Sequence, residues 1–165
     1  MRHPVGNSQN GIAIYVDLIH SDAAKHISRQ PYLLGLAGEA LRQTTLQGPE
    51  AILEYNMGRT IGYNFVVNTK ATDNIFYAQL VREKTYTRFV KNGQPDSTQY
   101  LTLILRRNED DNTYELHDAW IGHLCPPQPG STNETSESRQ YWANHAFVLD
   151  NQPLQMRTVT RVCPY

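Results

Sequence analysis

The sequence predicts an α+β fold: N-terminal helices followed by an antiparallel β-meander of four to six strands, within a single domain. Three observations carry this expectation. Apolar residues recur at helical spacing between residues 31 and 43. From about residue 51 they recur at every second position, the period of a half-buried strand. Polar, turn-forming clusters then separate the alternating segments, as in a meander. At 165 residues the chain is long enough for one good core and short for two. With 39% hydrophobic and 19% charged residues it has the composition of a folded protein rather than a disordered one.

Taken in order, residues 1–10 are polar and turn-rich and are expected to be a flexible arm, leaving residues 11–165 as the domain. In "GIAIYVDLI", Ile12, Ile14 and Val16 alternate, which fits a first strand or the approach to a helix. "SDAAKHISRQ" begins with Ser21 and Asp22 in capping position, and Pro31 suits the first turn of a second helix. In that second helix Leu33, Leu34, Ala37, Ala40 and Leu41 share a face. Gly35 and Gly38 either weaken it or let a neighbour pack closely.

Strands are expected next. "RTIGYNFVV" aligns Ile61, Tyr63, Phe65 and Val67, and "NIFYAQLVRE" aligns Phe76, Ala78 and Leu80. "TYTRFV" is rich in β-formers. "QYLTLILRR" returns through the turn "NEDDN" into "TYELHDAWIG". Residues 126–138, "PPQPGSTNETSES", form a polar Pro-rich loop that cannot be a central strand. A short capped helix, "SESRQYWANHA", and late strands in "AFVLD" and "MRTVTRV" complete the chain.

Charge and motif content narrow the function. Lys and Arg number 15 against 16 acids, so no global cationic field attracts nucleic acid, and any such role needs a local patch. No apolar run reaches membrane-spanning length and the N-terminus has no apolar leader, so a soluble cytoplasmic protein without a membrane partner is expected. Cys125 and Cys163 belong to no CxxC pattern and are expected as reduced thiols, with a disulfide as the alternative. Walker A, GxGxxG, GxSxG and HExxH patterns are absent from the sequence, and no cofactor is expected. His117, Asp118, His123 and Asp150 match no metal-binding spacing, so no metal is expected either. Glu109, Asp110 and Asp111 read as solvated turn residues.

One local patch stands out. "VREKTYTRFVKNG" concentrates Arg82, Lys84, Arg88 and Lys91, with Arg82 continuing the Phe76–Ala78–Leu80 face and Tyr86 sharing a face with Arg88. Cations at a sheet rim bind phosphate and stabilise charge developing on it. They also guard strand edges against pairing with other chains. Histidine supplies the second requirement of phosphodiester cleavage, a general acid or base near neutral pH. His117 and His145 are the candidates. Unbroken alternation turns His117 away from its neighbour Asp118.

In the order of its elements and the residue types on its strands, the stretch from about residue 20 to residue 122 resembles the barnase–EndoU–colicin–RelE class of small ribonuclease toxins. That resemblance implies metal-independent RNA cleavage by attack of the ribose 2′-hydroxyl. It implies that Lys84, Arg82 or Arg88 holds the scissile phosphate and that His117 or His145 is the general acid or base. Thr102 or Tyr86 would assist by hydrogen bonding. Trp120 is a further substrate-binding candidate. The near-neutral charge and residues 126–165 depart from the class. The competing expectation is a non-catalytic domain of immunity or adaptor type that binds a protein partner through Trp120, Tyr141 and Trp142. A small ligand in a sheet cavity is a third reading, suggested by the tyrosine and glycine of "RTIGYNF".

Overall fold

The computed structural model describes residues 2–149 and 155–165. In chain order its elements are β1 (Arg2–Asn7), β2 (Ala13–Asp17), α1 (Asp22–Arg29), α2 (Leu33–Leu41) and β3 (Glu50–Asn56). Then come β4 (Gly62–Asn64), β5 (Val66–Asn68), β6 (Asn74–Leu80), β7 (Tyr86–Lys91) and β8 (Asp96–Thr98). β9 (Tyr100–Asn108), β10 (Thr113–Ile121), α3 (Ser138–Trp142), β11 (His145–Val148) and β12 (Met156–Thr160) follow. The fold mixes helix and strand, with strands predominating and mostly antiparallel. Where one domain was expected, the chain forms two compact units: Met1–Gly62 with Ser97–Leu124, and Tyr63–Asp96 with Cys125–Tyr165.

The first unit is built on a five-stranded sheet in the order β1-β2-β10-β9-β3. Leu101, Leu103 and Leu105 of β9 and Tyr114, Leu116, Ala119 and Ile121 of β10 bury one face of it. They meet Ala23 and Ile27 of α1 and Leu33, Leu36, Ala37, Ala40 and Leu41 of α2. Both helices form where their spacing indicated. The Ser21 hydroxyl caps α1 by accepting the Ala24 N–H, as a helix start requires. Gly38 of α2 has the close neighbour that a mid-helix glycine suggested: a Cβ there would lie 2.9 Å from the Val5 carbonyl oxygen.

Two strands precede the helices. Residues expected as a flexible arm instead form β1, antiparallel to β2. Arg2 clamps it in place. Its Nε donates to Glu115 at 2.9 Å, Nη1 to Asp111 at 2.8 Å and Nη2 to the Thr113 hydroxyl at 2.7 Å. The guanidinium also lies 4.1 Å from the Tyr15 ring centroid. Asp111 is therefore an ion-pair partner and not only a solvated turn residue.

The second unit has its own five-stranded sheet, β12-β6-β7-β11-β5. Phe76 stacks on Phe89 at 5.4 Å, and Trp142 of α3 stacks on Phe147 at 5.3 Å. Val90, Ala146 and Val148 make a separate small cluster. The expected hairpins β6–β7 and β9–β10 both form, but they lie in different sheets, so the single meander is not what the chain builds. Each five-stranded sheet also contains a parallel pairing, β2 with β10 and β7 with β11. Residues 126–137 contain no strand, as their prolines required. Among the described residues no helix is long and apolar enough to cross a membrane.

Candidate acid–base site

The site of interest lies in the first unit, where α1 meets β10. β2 accompanies β10 for only two registered pairs, Ile14 with Tyr114 and Tyr15 with Glu115. It ends at Asp17, whose carboxylate accepts the N–H groups of Ile19 and His20 at 2.8 and 3.0 Å and turns the chain toward α1. Those two bonds hold the Asp17 carboxyl well below its ordinary range.

β10 is irregular at the same level. Leu116 pairs with Leu105 and Asp118 with Ile104, so His117 is one residue too many and forms a β-bulge. The burial pattern confirms the slip in phase. Tyr114 and Leu116 are buried, then Ala119 and Ile121, while His117 and Asp118 between them are both half-buried. The unbroken alternation expected here is thus interrupted at the histidine itself.

On α1, Asp22 and His26 stand one helical turn apart and so share a face. The result is a crossed quartet. His117 Nε2 lies 3.4 Å from Asp22 Oδ2, and His26 Nε2 lies 3.6 Å from Asp118 Oδ1. Each element contributes one imidazole and one carboxylate. The two acids differ in setting: the Asp118 side chain is 20% exposed and that of Asp22 56%. Burial pushes the Asp118 carboxyl up. His26, the Ala119 N–H and His117 oppose the rise, and Asp22 adds to it. Among the described residues no hydrogen bond reaches Nδ1 of His26 or His117. The Trp120 ring lies 6.4 Å from that of His26, and its indole N–H donates to the His123 carbonyl at 3.0 Å.

The residues expected from the sequence divide between the units. His117, Thr102 and Trp120 belong to the first. Thr102 is fully buried and its hydroxyl donates to the Gly122 carbonyl at 2.8 Å, so it holds the sheet and faces no substrate. Arg82, Lys84, Tyr86, Arg88 and His145 belong to the second. Arg82 and Lys84 are exposed in the β6–β7 connection. Arg82 adopts a left-handed backbone (φ 72°) and does not continue the Phe76 face. Arg88 stands opposite Tyr77, and its Nη1 donates to the Thr69 hydroxyl and the His145 carbonyl, both at 2.9 Å. Arg88 and His145 thus meet, but through a backbone oxygen. The His145 ring stacks on Tyr141 at 3.8 Å, and its Nδ1–H donates to the Tyr141 carbonyl at 2.8 Å. Trp142, expected in an interaction patch, is 2% exposed and belongs to the interior.

Among the described residues no group of three or more His, Cys, Asp or Glu side chains is arranged to hold a metal ion, and Asp150 lies outside the described residues. His123 Nδ1 faces Glu54 at 3.1 Å, and Cys125 Sγ lies 3.3 Å from the Tyr141 hydroxyl. His26 was not singled out from the sequence. Two signals pointed to it: the four-residue spacing from Asp22 on a capped helix, and the three-residue skip from Leu116 to Ala119 that marks the bulge. Comparison of the chain with protein-family models, with curated proteins and with solved structures found no match in any of the three.

Proposed function

We propose that this protein is a metal-independent ribonuclease whose acid–base pair is His26 and His117. The observation that carries the reading is the crossed quartet: two imidazoles, each facing a carboxylate, on two elements that the bulge and α1 bring together. Cleavage of a phosphodiester needs two proton transfers, and two imidazoles, one from each of these elements, supply both. One takes the proton of the ribose 2′-hydroxyl as that oxygen bonds to phosphorus. The bond from phosphorus to the 5′ oxygen breaks, and the other imidazole, in its protonated form, gives its proton to the leaving oxygen. The products are a 2′,3′-cyclic phosphate and a 5′-hydroxyl, and no further reactant is consumed.

Asp22 and Asp118 are positioning residues in this scheme, fixing ring orientation in the way second partners orient catalytic imidazoles. Their separations from the rings, 3.4 and 3.6 Å, are long for hydrogen bonds, as is common before substrate binds. The resemblance to the barnase–EndoU–colicin–RelE class supports the same chemistry, and a cytoplasmic location would give it access to cellular RNA. The exposed cations Arg82 and Lys84 and the stacked His145 are assigned no step. No specific observation favours a protein-interaction domain, since Trp142 is buried and Tyr141 is stacked on His145.

The test is cleavage of end-labelled RNAs of varied sequence with a chelator present, with the new ends identified. Fragments ending in a 2′,3′-cyclic phosphate are expected. Intact RNA in the presence of well-folded protein overturns the proposal.

A further inference from the structure

We infer that Trp120, Lys25 and Arg29 form a nucleotide-binding subsite beside the quartet, with an unpaired base stacked on Trp120 and the flanking phosphate held by Lys25 and Arg29. This inference rests on the ribonuclease reading for its orientation, though its physical basis is separate. The strand register places Trp120 opposite Thr102 and Asp118 opposite Ile104, on the sheet face away from Leu101, Leu103, Leu105, Ala119 and Ile121, which pack against the helices. Trp120 is half-buried, and its indole N–H is fixed to the His123 carbonyl, so the ring is held in one orientation. That fixed ring lies 6.4 Å from the His26 ring, so a base stacked on it would lie beside the quartet. Aromatic side chains on a sheet take up unpaired bases because every base presents a π-face.

Charge supplies the second part. The acids around the quartet are committed: Asp22 faces His117, Asp118 faces His26, Glu54 faces His123 and Glu115 pairs with Arg2. Lys25 and Arg29 are exposed on α1, four residues apart and flanking His26, and neither makes an ion pair among the described residues. The uncommitted charge on α1 next to His26 is therefore positive, although the chain as a whole is not. Lysine and arginine one turn apart suit a phosphate on one side of the scissile bond.

The experiment measures binding of a labelled 2′-O-methyl RNA strand of unstructured sequence, which lacks the 2′ nucleophile and stays intact. Its affinity is compared with that for the corresponding duplex. Trp120→Ala is expected to weaken strand binding roughly 5- to 100-fold, with Trp120→Phe recovering most of the loss because it restores a stacking face. The double variant Lys25→Ala/Arg29→Ala is expected to reduce the slope of log affinity against log salt by about 1.4, the value for two phosphate contacts to a single strand. Wild-type affinity in Trp120→Ala, equal binding of duplex and strand, or no binding by the wild type overturns the subsite. If the wild type cleaves RNA and Trp120→Ala binds and cleaves equally well, the subsite falls and the ribonuclease stands. If strand binding depends on Trp120 but no RNA is cleaved, the ribonuclease falls and the subsite stands.

Discussion

The first unit gathers two helices and three strands around one continuous core, whereas the second divides six of its buried apolar residues into two separate clusters of three. The same contrast holds for their polar groups. The first unit carries four histidines facing carboxylates: His20 with Asp17, His26 with Asp118, His117 with Asp22 and His123 with Glu54. In the second, the principal cation, Arg88, is spent on a hydroxyl and a backbone carbonyl. Both units carry a register irregularity, between Met156 and Thr158 in β12 and between Leu116 and Asp118 in β10, and only the second of these sets a histidine beside a carboxylate of a helix. The smaller core relies on ring stacking and on Arg88 to hold β7 to β11.

The comparison breaks most visibly under core truncation. Phe89→Ala removes a ring stacked on Phe76 and tilted against Phe147, and is expected to cost about 3–5 kcal/mol. With so little buried around it, the loss should fall on the second unit. Amide hydrogen exchange should show β6, β7 and β11 losing protection while β9 and β10 keep theirs. Equal loss in both units would mean that they unfold as one and that the contrast has no energetic meaning.

A paired glycine substitution gives a smaller effect and bears only on the first unit. Gly38→Ala places a methyl 2.9 Å from the Val5 carbonyl and is expected to destabilise by about 1–3 kcal/mol through displacement of β1 from α2. Gly35→Ala meets nothing within 4 Å and is expected to stabilise by up to about 1 kcal/mol through helix propensity. Thermal midpoints moving in the same direction for both variants would contradict the close packing of β1 on α2.

The smallest effect is that of pH. In the first unit Asp17 is held low by the His20 and Ile19 N–H groups, Glu39 by Arg59, and Asp111 by the Thr113 hydroxyl and Arg2. Burial pushes Glu54 up, but the Leu124 N–H and His123 outweigh it and leave it low. In the second unit, among the described residues, only Glu134 is held low, by Arg139 and the Gly130 N–H. A carboxyl whose folded pKa is depressed stabilises above its ordinary range, and that contribution is lost as pH falls through it. Asp118 has the opposite sign, because a raised pKa means that its ionisation costs stability as pH rises. One group of that kind against four leaves the first unit the more acid-sensitive. Its exchange protection should fall further than that of the second between about pH 5 and pH 2. These are mostly exposed groups, so salt should shrink the difference.

Much of the fold was legible because local pattern determined it. The Ser21 cap, the helical spacing from Leu33 to Leu41 and the turn before Thr113 each act over a few residues, and α1, α2 and the β9–β10 hairpin appeared where expected. β1 was not legible, since "RHPVGN" has no apolar alternation and is held by Arg2 reaching residues more than a hundred positions away. The parallel pairings were hidden for the same reason: consecutive strands suggested a meander, while β2 pairs with β10 across most of the first unit's sequence. Of the candidate site, His117 and Trp120 drew notice through residue type. His26 is not legible in this way, because its approach to Asp118 depends on the bulge between Leu116 and Ala119, which breaks the simple alternation. Arg82 and Lys84 drew notice through charge density, a property that exposed hairpin loops share with phosphate sites.

The most direct test of the central claim is a kinetic cycle on RNA cleavage with His26→Ala, His117→Ala and the double variant, each checked for native fold. Two imidazoles acting in one proton-transfer sequence predict a loss of about 10²- to 10⁴-fold in kcat for each single variant. They also predict a double variant little worse than either single one, because groups that act as a unit are strongly non-additive. Wild-type rates in either single variant would contradict the account and remove the quartet from the chemistry.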